Sequence, residues 1–295
     1  MYDIKNVFMA KSVQDAIEAL TGNENTVLIA GGTDVLVKLR ESSYADSTLV
    51  SIHRLPELNG VWLSDDGAIV IGSGTSFADL ETNLILKKHI PTLAMAAGTV
   101  GGPQIRRVAT IGGNVCNGAV SADTAPMLLA LDALLELEGP RRKRSVCIRS
   151  FYTGPGKTIR DHNEILTGIR INIESYQGFG GEYIKFGKRN AMEIATLGCA
   201  ANVRLDASKG SIEELRLAFG VAAPTPIRCP QTEAAAAGKR PTKILLAELG
   251  QMALKEVNPR DSWRASRAFR LHLARELTER AVAGAIINAG GVIGA

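Results

Sequence analysis

Gly31-Gly32-Thr33-Asp34 and Gly112-Gly113-Asn114 are two glycine pairs, each preceded by an apolar lead-in and followed at once by polar side chains. "VLIAGGTDVLVKL", Val27 to Leu39, carries the first; "ATIGGNVCNGAVSAD", Ala109 to Asp123, carries the second and ends on a carboxylate. A stretch so poor in side chains leaves its peptide N–H groups accessible. Several of them turned inward hold a diphosphate without any lysine, provided the chain approaches closely. Glycine permits both that approach and the positive φ of a concave turn. One such loop from each half of a domain would clamp a diphosphate, with Thr33 and Asn114 adding side-chain donors. Asp123 stands where a carboxylate accepts hydrogen bonds from ribose hydroxyls, and reads equally well as the N-cap of a helix starting at Thr124. Either glycine pair alone also reads as an ordinary tight turn.

The common nucleotide signatures are missing. No GxxxxGK[ST] run occurs, and "GSGTSF", Gly72 to Phe77, has Phe77 where a dinucleotide fingerprint needs its third glycine. It also follows a hairpin strand rather than the first strand of a βαβ unit, so Gly72 and Gly74 read as turn residues and Thr75 or Ser76 as a helix cap. No GxSxG elbow is present. Cys116, Cys147, Cys199 and Cys229 lie far apart, never in CxxC spacing, and His53, His89, His162 and His272 are equally scattered. Zinc and iron–sulfur sites are therefore not expected in this chain, and small reduced thiols are.

The elements that must position the two loops follow from periodicity. "SVQDAIEALTG" is a short amphipathic helix capped by Ser12; "TVLIAGG" is a strand entering the first glycine pair; "VLVKLR" restarts as helix and "STLVSI" as strand. Residues 1–52 thus form a βαβ-like unit. A hairpin turns at Asp65-Asp66-Gly67, and two helical stretches, "SFADLETNLIL" and "IPTLAMAAGTV", precede the second glycine loop. A helix in "TAPMLLALDA" and strands in "LLELEG", "SVCIRS" and "EILTGIRIN" complete this part. After "SYQGFGGEY" come three alternating runs suited to an antiparallel sheet, then helical patterns from Lys243 and from Ser266. The fold class is α+β, with a domain over 1–176 (subdomains about 1–55 and 56–176) and a second over 177–295.

The chain has 295 residues, 45% hydrophobic and 22% charged, with a net charge of +4, which suits at least two modest cores and is too mildly basic to argue for nucleic acid. The run Arg141-Arg142-Lys143-Arg144 reads as a solvated turn, with a docking patch for an acidic partner as the alternative. No secretory leader and no bilayer-spanning apolar run is seen, so cytoplasm is the expected compartment and no membrane contact is expected.

Read in order, "AGGTDVLVKL", "IGSGTSFADLE", "GPQIRRVATIGGNVCNGAVSADTAP", "FYTGPGKT", "EILTGIRI", "FGKRNAMEIATLGCAANVRL", "AFGVAAPTPIRC" and "WRASRAFRLHL" resemble the FAD-binding subunit of bacterial molybdenum hydroxylases, most nearly the xanthine dehydrogenase type. The resemblance runs nearly end to end. It implies a vanillyl-alcohol-oxidase/PCMH-type FAD-binding domain of two α/β subdomains, plus a C-terminal antiparallel sheet with helices, as in the CO dehydrogenase flavoprotein. It implies FAD held without a covalent bond on the two glycine loops: Ala30, Gly31, Gly32, Thr33 and Asp34 match the first, and Thr110, Ile111, Gly112, Gly113 and Asn114 the second. Asp123 matches an acid near the sugar or adenine part of FAD. Leu166 matches a position whose backbone meets the isoalloxazine, and Lys185 a lysine near the pyrimidine end of that ring, where a cation tunes its potential. Without the resemblance, Leu166 reads as core and Lys185 as an outward-pointing strand lysine.

The resemblance further implies an oxidoreductase subunit of purine metabolism. Electrons would come from a molybdenum-binding large subunit through a small subunit with [2Fe-2S] clusters, and hydride would pass to NAD+ as co-substrate. Arg189 is a weaker candidate for the NAD side, since Asn190-Ala191-Met192 replaces the charged residues of eukaryotic relatives. Flavoprotein subunits of CO, nicotine or aldehyde dehydrogenases, a stand-alone flavin reductase of the same fold, or an assembly module with plain turns remain the alternatives.

Overall fold

The computed structural model describes residues 3–295. Its first lobe is β1 (Ile4–Met9), α1 (Val13–Gly22), β2 (Thr26–Ile29), α2 (Val35–Arg40) and β3 (Ser47–Ser51), with the three strands all parallel in the order β1-β3-β2. Ser12 caps α1 by accepting from the Asp15 N–H at 3.0 Å, and Ala16, Ile17 and Leu20 bury its inner face against Val50 and Leu58.

The second lobe opens with the hairpin β4 (Val61–Leu63) and β5 (Ile69–Gly72). Short helices follow: α3 (Phe77–Thr82), α4 (Leu84–His89), α5 (Pro91–Gly98), α6 (Pro103–Val108), α7 (Ile111–Asn117) and α8 (Ala125–Ala130). Strands β6 (Leu134–Glu138), β7 (Lys143–Cys147), the small hairpin β8 (Tyr152–Gly154) with β9 (Lys157–Thr158), and β10 (Ile165–Ile171) close it. The five-stranded antiparallel sheet runs β4-β5-β10-β6-β7, so β10, the last strand to arrive, is central and buried.

Two expectations are corrected here. "SFADLETNLIL" is not one helix. Asn83 caps a fresh start by accepting from the N–H groups of Ile85 and Leu86, which divides it into α3 and α4. The basic run is only partly a solvated turn: Arg141 and Arg142 are exposed, but Arg144 points inward. It forms a fork-like pair with the buried Glu164 at 2.6–2.7 Å.

The last region is β11 (Phe179–Phe186), β12 (Leu197–Leu205), β13 (Ile212–Gly220) and β14 (Ile227–Arg228) in an antiparallel sheet, with α9 (Pro230–Ala236), α10 (Lys243–Ala253) and α11 (Arg267–Asn288) on one face. The reason is alternation: Leu197, Cys199, Ala201 and Val203 of β12 meet Leu277, Ala281 and Ile286 of α11 in a separate core. The opposite face, through Tyr183, Ala200 and Ala218, joins the core of the second lobe. Asp132, just past α8, fastens the seam. It pairs with Arg228 at 2.8 Å and with Arg216 at 3.3 Å.

Candidate functional site

A cleft of about 610 Å³ runs between the two lobes, within the size range of a ligand site. Of the residues singled out in the sequence, Ala30, Gly31, Gly32, Thr33, Asp34, Thr110, Gly112, Gly113, Asn114 and Leu166 line it. Ile111, Asp123 and Lys185 do not.

The first glycine segment leaves the carboxyl end of β2, where parallel strands open their crevices. Gly32 sits at φ +75°, which lets the chain turn back into α2. Gly31 is needed for a different reason: a Cβ there would stand 1.8 Å from the carbonyl oxygen of Val108, so the two lobes touch backbone to backbone. Among the described residues, no partner is found for the N–H groups of Gly31, Gly32, Thr33, Asp34 and Val35. A row of five consecutive unpartnered donors at a cleft wall has the makings of an anion-binding concavity.

The second glycine pair is not a loop of free amides; it is the first turn of α7. Thr110 caps that turn, its Oγ1 accepting from the Gly113 N–H at 3.1 Å. The N–H groups of Ile111 and Gly112 donate to the carbonyls of Thr75 (3.1 Å) and Ser73 (2.8 Å), and that of Asn114 to Thr110 (3.0 Å). This segment therefore brings side chains and clearance. A Cβ on Gly112 would meet Ser73 at 2.5 Å, whereas one on Gly113 meets only the Thr110 hydroxyl, at 3.0 Å, and otherwise faces open space. Asn114 is oriented by a hydrogen bond to its Oδ1 from Thr124 at 3.1 Å.

Leu166 lines the cleft where β10 departs from regular pairing with β6, and the carbonyl of the extra residue, Thr167, accepts from Ser73 N–H at 3.1 Å. Ile111 packs its side chain wholly into the core.

Asp123 and Lys185, 62 residues apart, meet directly behind the wall. Lys185 Nζ lies 2.8 Å from Asp123 Oδ2 and donates to the Thr99 carbonyl at 2.8 Å, next to Val100, which lines the cleft. The Tyr183 hydroxyl donates to Asp123 Oδ1 at 3.1 Å. The side chains of Lys185 and Asp123 are only 13% and 8% exposed, so neither an outward-pointing lysine nor an N-cap aspartate is found. Burial raises the Asp123 carboxyl, against the pull of Lys185 and of the hydrogen bond from Tyr183. The Tyr183 phenol is pushed well up by burial and by Asp123.

Several cleft residues went unnoticed in the sequence. Lys38 crosses the cleft to Asn117 Oδ1 at 3.1 Å. It lies one helical turn beyond Asp34, a spacing that pointed to it. Arg160, His162, Tyr44 and Ile194 also line the walls, with no local signal to find them; His162 Nε2 lies 2.9 Å from Thr26 Oγ1. Cys116 lines the wall too, its thiol pushed up by burial against the opposing charge of Arg160. Lys38 and Arg160 against Asp34 leave this wall cationic. Arg189 lies outside the cleft lining, exposed, with its guanidinium on the Met192 carbonyl at 2.8 Å.

Comparison with known proteins agrees with this architecture. Residues 2–171 match the family model of the FAD binding domain in molybdopterin dehydrogenase, and residues 182–285 that of the CO dehydrogenase flavoprotein C-terminal domain. The chain is 45% identical over 291 residues to the xanthine dehydrogenase FAD-binding subunit of Escherichia coli O157:H7, covering 99% of each chain. It is 31% identical to the carbon monoxide dehydrogenase medium chain of Hydrogenophaga pseudoflava, covering 92% of this chain and 93% of the other. A solved chain of carbon monoxide dehydrogenase from the same organism superposes with a TM-score of 0.92 at 30% identity, covering 98% of this chain and 99% of that one.

Proposed function

Because the chain belongs to the FAD-binding family of the molybdopterin dehydrogenases, we propose that it is the electron-transferring FAD subunit of a xanthine-dehydrogenase-type molybdenum hydroxylase. The observation that carries the reading is the row of five partnerless N–H groups from Gly31 to Val35 on a cationic cleft between two lobes. That row suits a diphosphate, and the cleft suits a long dinucleotide. The 45% identity to a xanthine dehydrogenase subunit, against 31% to a CO dehydrogenase chain, supports a purine-oxidising assembly.

Bound in the cleft, FAD would supply two-electron chemistry, accepting from an iron–sulfur subunit and passing hydride to NAD+. The residues of this chain hold and orient it. The amides of Gly31–Val35 bind the diphosphate, with Thr33 and Asn114 as further donors and Lys38 and Arg160 balancing charge. Val100, Leu166 and Ile194 give an apolar wall for a flat ring system. Lys185 puts a positive charge behind that wall, held there by Asp123 and Thr99. The molybdenum cofactor and the [2Fe-2S] clusters belong to partner subunits. The four cysteines are free thiols, consistent with a cytoplasmic setting.

The test has two parts. Purified chain is titrated with FAD while flavin fluorescence is followed, with one tight equivalent expected. The chain is then co-expressed with a molybdenum-binding and an iron–sulfur subunit, and xanthine-dependent NAD+ reduction is measured. A chain that binds no FAD, or a complete complex that reduces NAD+ with CO or an aldehyde but not with xanthine, overturns the reading.

A further inference from the structure

The segment 258–266, between α10 and α11, carries the most exposed large aromatic among the described residues. Trp263 is 81% exposed, and the Arg264 guanidinium lies over its ring at 4.2 Å. An exposed indole on a loose loop would need no comment. This loop is not loose. Arg270, on the first turn of α11 and only 2% exposed, spends its guanidinium on it. It donates to the Ala265 carbonyl at 3.1 Å, to Ser262 Oγ at 2.8 Å and to the Arg260 carbonyl, while its Nε reaches the Thr196 carbonyl at 3.1 Å. No carboxylate pairs with Arg270 among the described residues. Ser262 and Ala265 close the loop with reciprocal backbone bonds of 3.0 and 3.2 Å, and Asp261 accepts from the Arg267 N–H at 2.7 Å.

Burying a guanidinium on three carbonyls and one hydroxyl, without a carboxylate bonded to it, is costly, and here it fixes the loop that holds an indole out in water. Rigid Trp and Arg side chains are the usual anchors of protein interfaces, and an anchor fixed in advance loses little conformational freedom on binding. The surface continues along α11. Phe269, 43% exposed, contacts Phe186 edge-on at 5.8 Å and His272 face-on at 6.4 Å. Within residues 258–267, Arg260, Arg264 and Arg267 stand against the single acid Asp261. That is too little charge to follow a phosphate backbone, but it suits a rim of carboxylates.

We propose that Trp263, Arg264 and Phe269 form a docking surface for a protein partner that presents an apolar pocket rimmed by carboxylates. Resting on the function proposed above, that partner is one of the other subunits of the assembly. Trp263 fills the pocket, and the arginines meet its rim.

The experiment uses the co-expressed complex with its molybdenum-binding and iron–sulfur subunits. Trp263→Ala and Arg264→Glu are compared with wild type for subunit dissociation and for FAD per chain, and hydrogen exchange is followed over residues 258–272. Truncation of a Trp anchor weakens assembly by roughly thirtyfold or more. FAD content stays at the wild-type level in both variants, Arg264→Glu weakens assembly most at low salt, and the segment is protected only in the complex. Assembly of Trp263→Ala with wild-type affinity, or exchange in 258–272 unchanged by the partners, overturns the proposal while leaving the FAD reading intact. Self-association of this chain, or binding to nucleic acid, that Trp263→Ala abolishes without touching subunit assembly overturns it too. A wild-type chain that assembles with neither subunit sinks the function proposed above, and this surface with it.

Discussion

Replacing Lys185 by Met removes one member of a buried ion pair and leaves the other in place. The pair is short, 2.8 Å, and its side chains are 13% and 8% exposed. After the substitution, Asp123 keeps one hydrogen bond, from Tyr183, in a site where burial already raises its carboxyl. Breaking such a pair costs about 3–5 kcal/mol, because an uncompensated charge stays buried. The neutral double variant Asp123→Asn/Lys185→Met removes the stranded charge, so it should recover most of that loss, and a double-mutant cycle isolates the coupling.

The pH dependence follows from the same group. A carboxyl raised in the folded state stabilises the fold most when protonated, and that contribution is lost as pH climbs through the folded value. Lys185 pulls the Asp123 carboxyl down, so its removal raises that value further. The deficit of Lys185→Met should therefore be small near the ordinary carboxylate range and grow toward neutral pH. Denaturant melts of the FAD-free chain between pH 4 and pH 8 would measure it. An equal deficit at both ends, or none at pH 8, would refute the role given to the pair.

Three other expectations are independent. Gly113→Asp, whose Cβ meets only the Thr110 hydroxyl in a position that lines the cleft, should fold with at most a small shift of that hydroxyl. At about 5 Å and an effective dielectric near 20, repulsion from one phosphate charge is roughly 3 kcal/mol, so FAD affinity should fall by about 100-fold or more in a fluorescence titration. Gly31→Ala puts a Cβ 1.8 Å from the Val108 carbonyl, so it should lower the thermal midpoint as well as FAD retention; wild-type stability in that variant would contradict the lobe contact. Glu164 is buried, which raises its carboxyl, but the hydrogen bonds from Arg144 and the Asp161 N–H outweigh this and hold it below its usual value. Its contribution is present above that usual value and lost as pH falls through the depressed one, so acid unfolding curves of Glu164→Gln should show a flatter acid limb than wild type.

The parts of the molecule that could be read in advance are those specified by neighbours in sequence. Ser12, Thr242 and Ser266 cap their helices within three residues, and β12 advertises its buried face by alternation. The first glycine segment was legible because its chemistry is local. The second was legible as a site but not as an element: that Thr110 would wind the glycines into a helix depends on the carbonyls of Thr75 and Ser73 accepting the amides of Ile111 and Gly112, from nearly 40 positions away. α6 was missed although Pro103 marks its first residue, since the flanking Gly101-Gly102 reads as turn. The Asp123–Lys185 pair, and the arrival of Arg160 and His162 at the cleft, are products of tertiary folding with no periodicity to betray them.

The contact between Gly31 and the Val108 carbonyl sets the gauge of the cleft in main-chain atoms. Rotamer changes in the lining can alter its texture and charge but cannot move its jaws apart. Tailoring the pocket to a bulkier or slimmer cofactor would therefore require re-hinging whole lobes, while exchange of wall side chains such as Tyr44 or Ile194 would retune its grip at constant width.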